Sequence, residues 1–243
     1  MTTPNDALDF YPTPDSLAFD MVFSLREVKS GFTTYPKPIL EPSAGDGALA
    51  RQIHALAFNV HHDYKTGEVD RYDKEKAQNA ELDCIELSSD FRAVLKKDGF
   101  RVVHDNFLTF RPTTKYAAIV MNPPFSAGAA HLLKALDVMQ DGGKIRCLLN
   151  AETIRNPCTN ERKELAAQLE KLNATVKYIP DAFKNARRAA RVEVALVSVD
   201  IPEREPVSKI RLELQHETTE RLKTDPELAA LVSADPITAA IED

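Results

Sequence analysis

Tyr116-Ala117-Ala118-Ile119-Val120-Met121-Asn122-Pro123-Pro124-Phe125 reads as a short buried strand that stops in a rigid polar turn. The stretch up to Met121 is apolar without the in–out alternation of a half-solvated strand, as expected where both faces of a sheet are covered. Two prolines then fix φ and bring no N–H, which ends the strand and leaves the carbonyls of the turn free to accept hydrogen bonds. In open α/β sheets the carboxyl ends of the strands are where ligands bind. An amide side chain and a flat ring at that edge suit a planar amine, such as the exocyclic nitrogen of adenine. A tetrapeptide of the form Asn/Asp/Ser-Pro-Pro-aromatic arises by chance in roughly 1% of chains this long. Its placement directly after a strand therefore carries more weight than its composition.

The same grammar extends outward in both directions. Upstream, Ile39-Leu40 opens a strand that runs into a glycine turn, and Leu49, Ile53, Leu56 and Ala57 follow at helical spacing. Leu82 to Glu86 is a second strand, Ser88 to Lys97 a helix closed by Asp98-Gly99, and Phe100 to His104 a third strand. Downstream, Ala129 to Met139 is amphipathic and ends at Asp141-Gly142-Gly143, before a strand at Ile145 to Leu149. Thr159 caps a helix reaching about Leu172, and strands at Thr175 to Ile179 and Val192 to Val199 complete the set. Strands alternating with helices predict βαβ units. The expected fold is α/β and Rossmann-like, a mostly parallel seven-stranded sheet with helices on both faces. Its last strand is expected to be antiparallel, because no helical crossover precedes it.

Composition bounds the rest. The chain has 243 residues and a net charge of −6. Residues 201–243 hold ten acids and five bases, so five of those six charges lie in the tail and the body is close to neutral. The expected organisation is a catalytic domain over 1–200, with a polar inserted loop at 59–80, and an acidic, partly helical tail over 201–243. No apolar run approaches the roughly 20 residues that span a bilayer, and the first residues lack the pattern of a signal peptide. A cytoplasmic location without membrane contact is the expectation. Cys84, Cys147 and Cys158 are too few and too dispersed for a disulfide framework or a zinc site, and Cys84 and Cys147 read as core packing. His54, His61 and His62 read as part of a solvated loop, and no metal is expected.

Chemistry-bearing residues recur at successive strand ends. Gly45 and Gly47 form a G-x-G turn, shared by many nucleotide sites. The third glycine of a dinucleotide fingerprint is missing, and so is the P-loop lysine, so a phosphate chain is poorly served. A cofactor with a ribose and an amino acid end but no phosphate fits better, with Glu41 attracting its cationic part. Glu86 ends the second strand, where a carboxylate accepts from both ribose hydroxyls. Asp105 ends the third, placed to receive a purine amine, with Phe107 beside it to cover the ring.

At this point the chain resembles the S-adenosyl-L-methionine-dependent amino-methyltransferases, in particular the N6-adenine DNA methyltransferases, over about residues 10–200. Tyr11-Pro12-Thr13-Pro14 looks like the family's element upstream of the first strand, implying that Tyr11, Thr13 and Pro14 contact the methionine end of the cofactor. Glu41, Pro42, Ser43, Ala44, Gly45 and Gly47 look like its cofactor loop, Glu86 like its ribose acid, and Asp105, Asn106 and Phe107 like its adenine-binding element. Asn122, Pro123, Pro124 and Phe125 are similar to its catalytic tetrapeptide, with Asn122 also facing the cofactor. The motif order resembles the gamma class. The resemblance implies methyl transfer to an adenine N6 flipped onto Phe125.

A sizeable target-recognition domain, usual in that family, is not visible here. Lys184, Arg187, Arg188 and Arg191 form the best basic segment for phosphate contacts, a solvated hairpin being the alternative. A protein partner supplying target recognition is a further expectation. RNA adenine, a glutamine side chain of a protein, and a catalytically silent partner subunit stay open as alternatives to DNA.

Overall fold

Apolar side chains alternate by twos along the central strands, and this alternation sorts the core into two layers. The computed structural model describes residues 11–60, 80–184 and 192–203. Its central strands are β3 (Ile39–Glu41), β4 (Leu82–Ile85), β5 (Arg101–His104), β6 (Ala118–Met121), β7 (Gly143–Asn150), β8 (Thr175–Ile179) and β9 (Val194–Ile201). Ile39, Leu82, Cys84, Ala118, Val120, Leu148 and Val194 pack in one cluster, whereas Leu40, Ile85, Ile119, Met121, Cys147, Leu149 and Ala195 pack in the other. Period two is the geometry of a pleated strand, so a continuous apolar run supplies both layers at once.

Helices cover both faces. The first cluster takes in Leu17, Met21 and Val22 of α1 (Asp15–Phe23), Leu49 and Ile53 of α2 (Ala48–Ala57) and Leu95 of α3 (Ser89–Lys97). The second takes in Leu132 and Leu136 of α4 (Gly128–Val138) and Leu165 and Leu169 of α6 (Asn160–Lys171). A five-residue helix, α5 (Ala151–Arg155), lies between β7 and α6, in a stretch too short to show a helical period in the sequence. Among the described residues no helix is long and apolar enough to cross a membrane.

The sheet runs β5-β4-β3-β6-β7-β9-β8. Pairings from β5 through β7 are parallel, and β9 is antiparallel to both β7 and β8. The expected fold class therefore holds, antiparallel last strand included. Strand order reverses where β3 meets β6, so the carboxyl ends of β3, β4 and β6 open onto one crevice.

Like α5, α1 and a two-stranded ribbon of β1 (Glu27–Lys29) and β2 (Phe32–Thr34) went unread in the sequence. One expectation needs correction. His54 is no loop residue: it sits in α2 with 1% of its surface exposed, its ring 4.7 Å from that of Phe100. A histidine at that helical position packs as a flat, half-apolar plate. Cys84 and Cys147 are fully buried, and Cys158 is exposed. His61, His62, the bulk of the 59–80 loop and the acidic tail lie outside the described residues.

Candidate active site at the carboxyl edge of the sheet

The glycine turn after β3 has the backbone that its sequence demands. Gly45 and Gly47 have φ of 55° and 84°, a region that L side chains rarely adopt. At Gly47 a Cβ would also come within 3.1 Å of Leu95 and 3.2 Å of Arg51, so the turn packs directly on α2 and α3. Glu86, at the end of β4, closes it: its two carboxylate oxygens accept from the Gly45 and Ser88 N–H groups, each at 2.7 Å. A carboxylate offers about four lone-pair sites. Two are filled, and two remain for hydroxyl donors.

Glu41 lies beneath this turn, 1% exposed, and its Oε2 has no hydrogen-bond partner. Burial pushes its carboxyl well above the usual carboxylate range, against the pull of the Arg51 guanidinium. Asp46 and Glu86 add to the upward shift. An orphaned carboxylate is costly, and a cationic ligand group at the turn would relieve it.

The tetrapeptide forms the other wall. Asn122 donates through Nδ2 to the Tyr11 carbonyl at 2.9 Å and to Thr13 Oγ1 at 3.0 Å. Both amide hydrogens are thereby used, and Oδ1 is left without a partner among the described residues. The rings of Tyr11 and Phe125 stack at 5.4 Å and 19°, and Phe183 meets Phe125 edge-on at 5.8 Å. These rings make an aromatic floor beside the amide.

A cleft of about 350 Å³ joins the two walls. Tyr11, Ser43, Glu86, Asn106, Asn122, Pro123, Pro124 and Phe125 all line it. The volume is in the range of small-molecule sites. Thr13, 7% exposed, and the partly buried Pro14 stand behind the tetrapeptide, and Glu41, Pro42, Ala44, Gly45 and Gly47 stand behind the turn, none of them in the lining.

Asp105 is not brought to the cleft. Its side chain is 65% exposed and 3.3 Å from His104 Nδ1, while Asn106 takes the place in the wall. Phe107 is buried in the core beneath and packs near His131. Lys184 is exposed, just past Phe183. Arg187, Arg188 and Arg191 lie outside the described residues.

The sequence reading missed Leu87, Phe91, Leu108 and His131 in the lining, and Phe183 in the floor. Leu87 had a signal available, since it directly follows Glu86 at the end of β4, whereas Leu108 follows the buried Phe107. They are 61% and 42% exposed, large apolar side chains held at the mouth of a cleft, where a flat apolar ligand group could be covered. His131 turns Nδ1 toward the Ala127 carbonyl at 2.9 Å, and its burial favours the neutral ring.

Fold and cleft together give a Rossmann-like α/β architecture with a crevice at the switch point, walled by the Glu86 carboxylate on one side and the Asn122 amide on the other. No protein-family model matches the sequence, and no curated protein does. Solved structures share its fold. A 23S rRNA methyltransferase, ErmE, aligns at a TM-score of 0.51 and 17% identity, over 86% of this chain and 78% of that one. A type I restriction-modification methyltransferase subunit from Streptococcus thermophilus aligns at 0.56 and 16%, over 79% of this chain and 45% of its own length. A dimethyladenosine transferase from Plasmodium falciparum aligns at 0.50 and 14%, over 79% and 63%. The chain thus spans less than half of the restriction-modification subunit.

Proposed function

We propose that the chain transfers a methyl group from S-adenosyl-L-methionine to the N6 amino group of an adenine in DNA. The observation that carries this reading is the Asn122 amide: both its hydrogens are committed to Tyr11 and Thr13, so Oδ1 is the atom left to accept from a substrate amine. Oδ1 and the Pro123 carbonyl accept hydrogen bonds from the two N6 N–H groups and draw the nitrogen lone pair out of conjugation. Phe125 stacks the base after it leaves the helix. Glu86 holds the ribose hydroxyls with its two spare lone pairs, and Glu41 answers the cationic end. Pro42, Ser43, Ala44, Gly45 and Gly47 shape the seat, Tyr11 closes it with Thr13 and Pro14 behind the tetrapeptide, and Asn106 lines the purine end with Phe107 beneath. When bound, the cofactor supplies an electrophilic methyl on sulfur. No strong base is needed, because positioning and fixed dipoles suffice for such a transfer: the nitrogen becomes acidic once methylated and then gives its surplus proton to water.

Lys184, Arg187, Arg188 and Arg191 supply contacts to phosphates, which position a duplex without reading its sequence. Target choice is then short, or is supplied by a protein partner. The test is incubation with labelled cofactor and, separately, duplex DNA, single-stranded DNA, structured RNA and a release-factor protein. The labelled product is then digested and identified. N6-methyladenine from DNA is the expected result. Label only in RNA or in glutamine overturns the substrate, and no heat of cofactor binding by calorimetry overturns the enzyme. Asn122→Ala is expected to bind cofactor and lose transfer, and retained activity in that variant sinks the assignment.

A further inference from the structure

The segment Tyr11-Pro12-Thr13-Pro14 does something that its resemblance to a cofactor-contacting element does not cover. The Tyr11 carbonyl can only accept, so the side of the Asn122 amide facing it at 2.9 Å must be the NH₂. Turning the amide over would set two oxygens against each other. Thr13 Oγ1, at 3.0 Å, takes the second hydrogen and fixes the plane of the group. With Thr13 7% exposed, water is not a ready substitute for that hydroxyl.

The template itself is stiff. Pro12 and Pro14 fix φ on either side of Thr13, and a residue before proline is confined to extended backbone. The carbonyl of residue 11 and the side chain of residue 13 are thereby held on one side. Pro14 is tied down in turn, its carbonyl accepting from the Leu17 and Ala18 N–H groups at 3.0 and 2.9 Å. At the far end of α1, Ser24 Oγ accepts from Arg146 Nε of β7 at 2.9 Å. The amide is thus referenced to the sheet through a helix and not through a mobile side chain.

We propose that Thr13 is a positioning residue for methyl transfer: with the Tyr11 carbonyl it locks the Asn122 amide so that Oδ1, and not Nδ2, meets the substrate amine. The proposal rests on the methyl-transfer reading of the cleft, and its test separates the two. Thr13→Val removes the acceptor and keeps the shape, whereas Thr13→Ser restores it. The Asn122 side-chain amide is followed by NMR in the cofactor-free protein, assigned as the pair missing from Asn122→Asp. In wild type and Thr13→Ser both protons are hydrogen-bonded and slow to exchange. In Thr13→Val one of them shifts and exchanges faster. Turnover of Thr13→Val on DNA falls about 10- to 100-fold, with KM for cofactor and DNA unchanged, and Thr13→Ser recovers most of it.

An amide pair unmoved in Thr13→Val overturns the proposal, whether or not the wild type methylates anything. Unchanged turnover beside a moved amide overturns it too, as does a loss of cofactor affinity that accounts for the lost turnover. A moved amide in a protein whose wild type methylates no polymer upholds the lock and defeats the methyl-transfer reading.

Discussion

Glu86 commits about half of its lone pairs to the turn, and this makes its substitution informative. Two backbone N–H groups already point at its oxygens at 2.7 Å. Glu86→Gln sets an NH₂ against one of them, leaving donor facing donor. A stability loss of about 1–3 kcal/mol is expected in urea denaturation, together with cofactor affinity about tenfold weaker by calorimetry, since a hydrogen bond to a charged group is lost. The position of Glu86 was legible because an acid directly after a short apolar run marks the end of a strand. Asn106 stands in the wall where Asp105 was expected, and the register supplies a physical reason. The β4–β5 register skips Val103, pairing Cys84 with Val102 and Ile85 with His104. One extra residue exchanges the faces of everything after it, and no composition or periodicity over four residues reveals that. Asn106→Ala is therefore expected to weaken cofactor binding about tenfold and Asp105→Ala by less than about threefold, given net hydrogen-bond strengths of ~1 kcal/mol. The reverse ranking would restore Asp105 as the purine contact.

The elements that were legible are those with a single dominant signal. A fully apolar run bounded by turn residues announces a central strand, and Ser88 and Thr159 mark helix starts by accepting from the N–H groups of Phe91 and Arg162. Helix α1 lacks such a signal. Leu17, Ala18, Met21 and Val22 are buried, but Phe19 and Phe23 are exposed and stack on each other, so its apolar residues mark no single face. Pro14 at its N-cap makes no side-chain bond either. The ribbon after it is mostly exposed and turns at Ser30-Gly31, both with positive φ, which leaves little burial for a pattern to report. Where the signal was local, as at the turn after β3, the structure repeats it and adds a reason. Gly47→Ala places a Cβ against Leu95 and Arg51 in left-handed backbone. A loss of about 1–3 kcal/mol is expected, read as a lower urea midpoint at unchanged slope. An unshifted midpoint would mean that the turn relaxes freely, and that it is not a preformed seat.

Over the whole molecule, two buried groups of opposite sign shape the dependence of stability on pH. Burial lowers the His131 pKa from 6.5, with the Ala127 carbonyl opposing it. Between the folded and unfolded values the unfolded chain binds more protons. Stability from this group is thus present above about 6.5 and falls as pH drops toward the folded value. Glu41 acts in the other direction. Burial raises its pKa well above 4.5, so from about 4.5 upward the folded chain holds a proton that the unfolded chain has released. Stability then declines as pH rises toward the folded value, by about 1.4 kcal/mol for each step of one pH in that window. The two slopes have opposite signs and oppose each other in the wild type wherever they overlap. Glu41→Gln separates them, because it keeps the volume and removes the titration. Its stability relative to wild type is expected to be flat below about pH 4.5 and to grow more favourable as pH rises, measured by urea denaturation across pH 4–9. Calorimetry on the same variant is expected to give weaker cofactor binding, because the variant cannot supply the negative charge that a cationic ligand group would draw from Glu41. Stability gained with affinity lost is the signature of a charge kept for a ligand and against the fold. A difference that stays flat across the range would remove Glu41 as the seat of a cation.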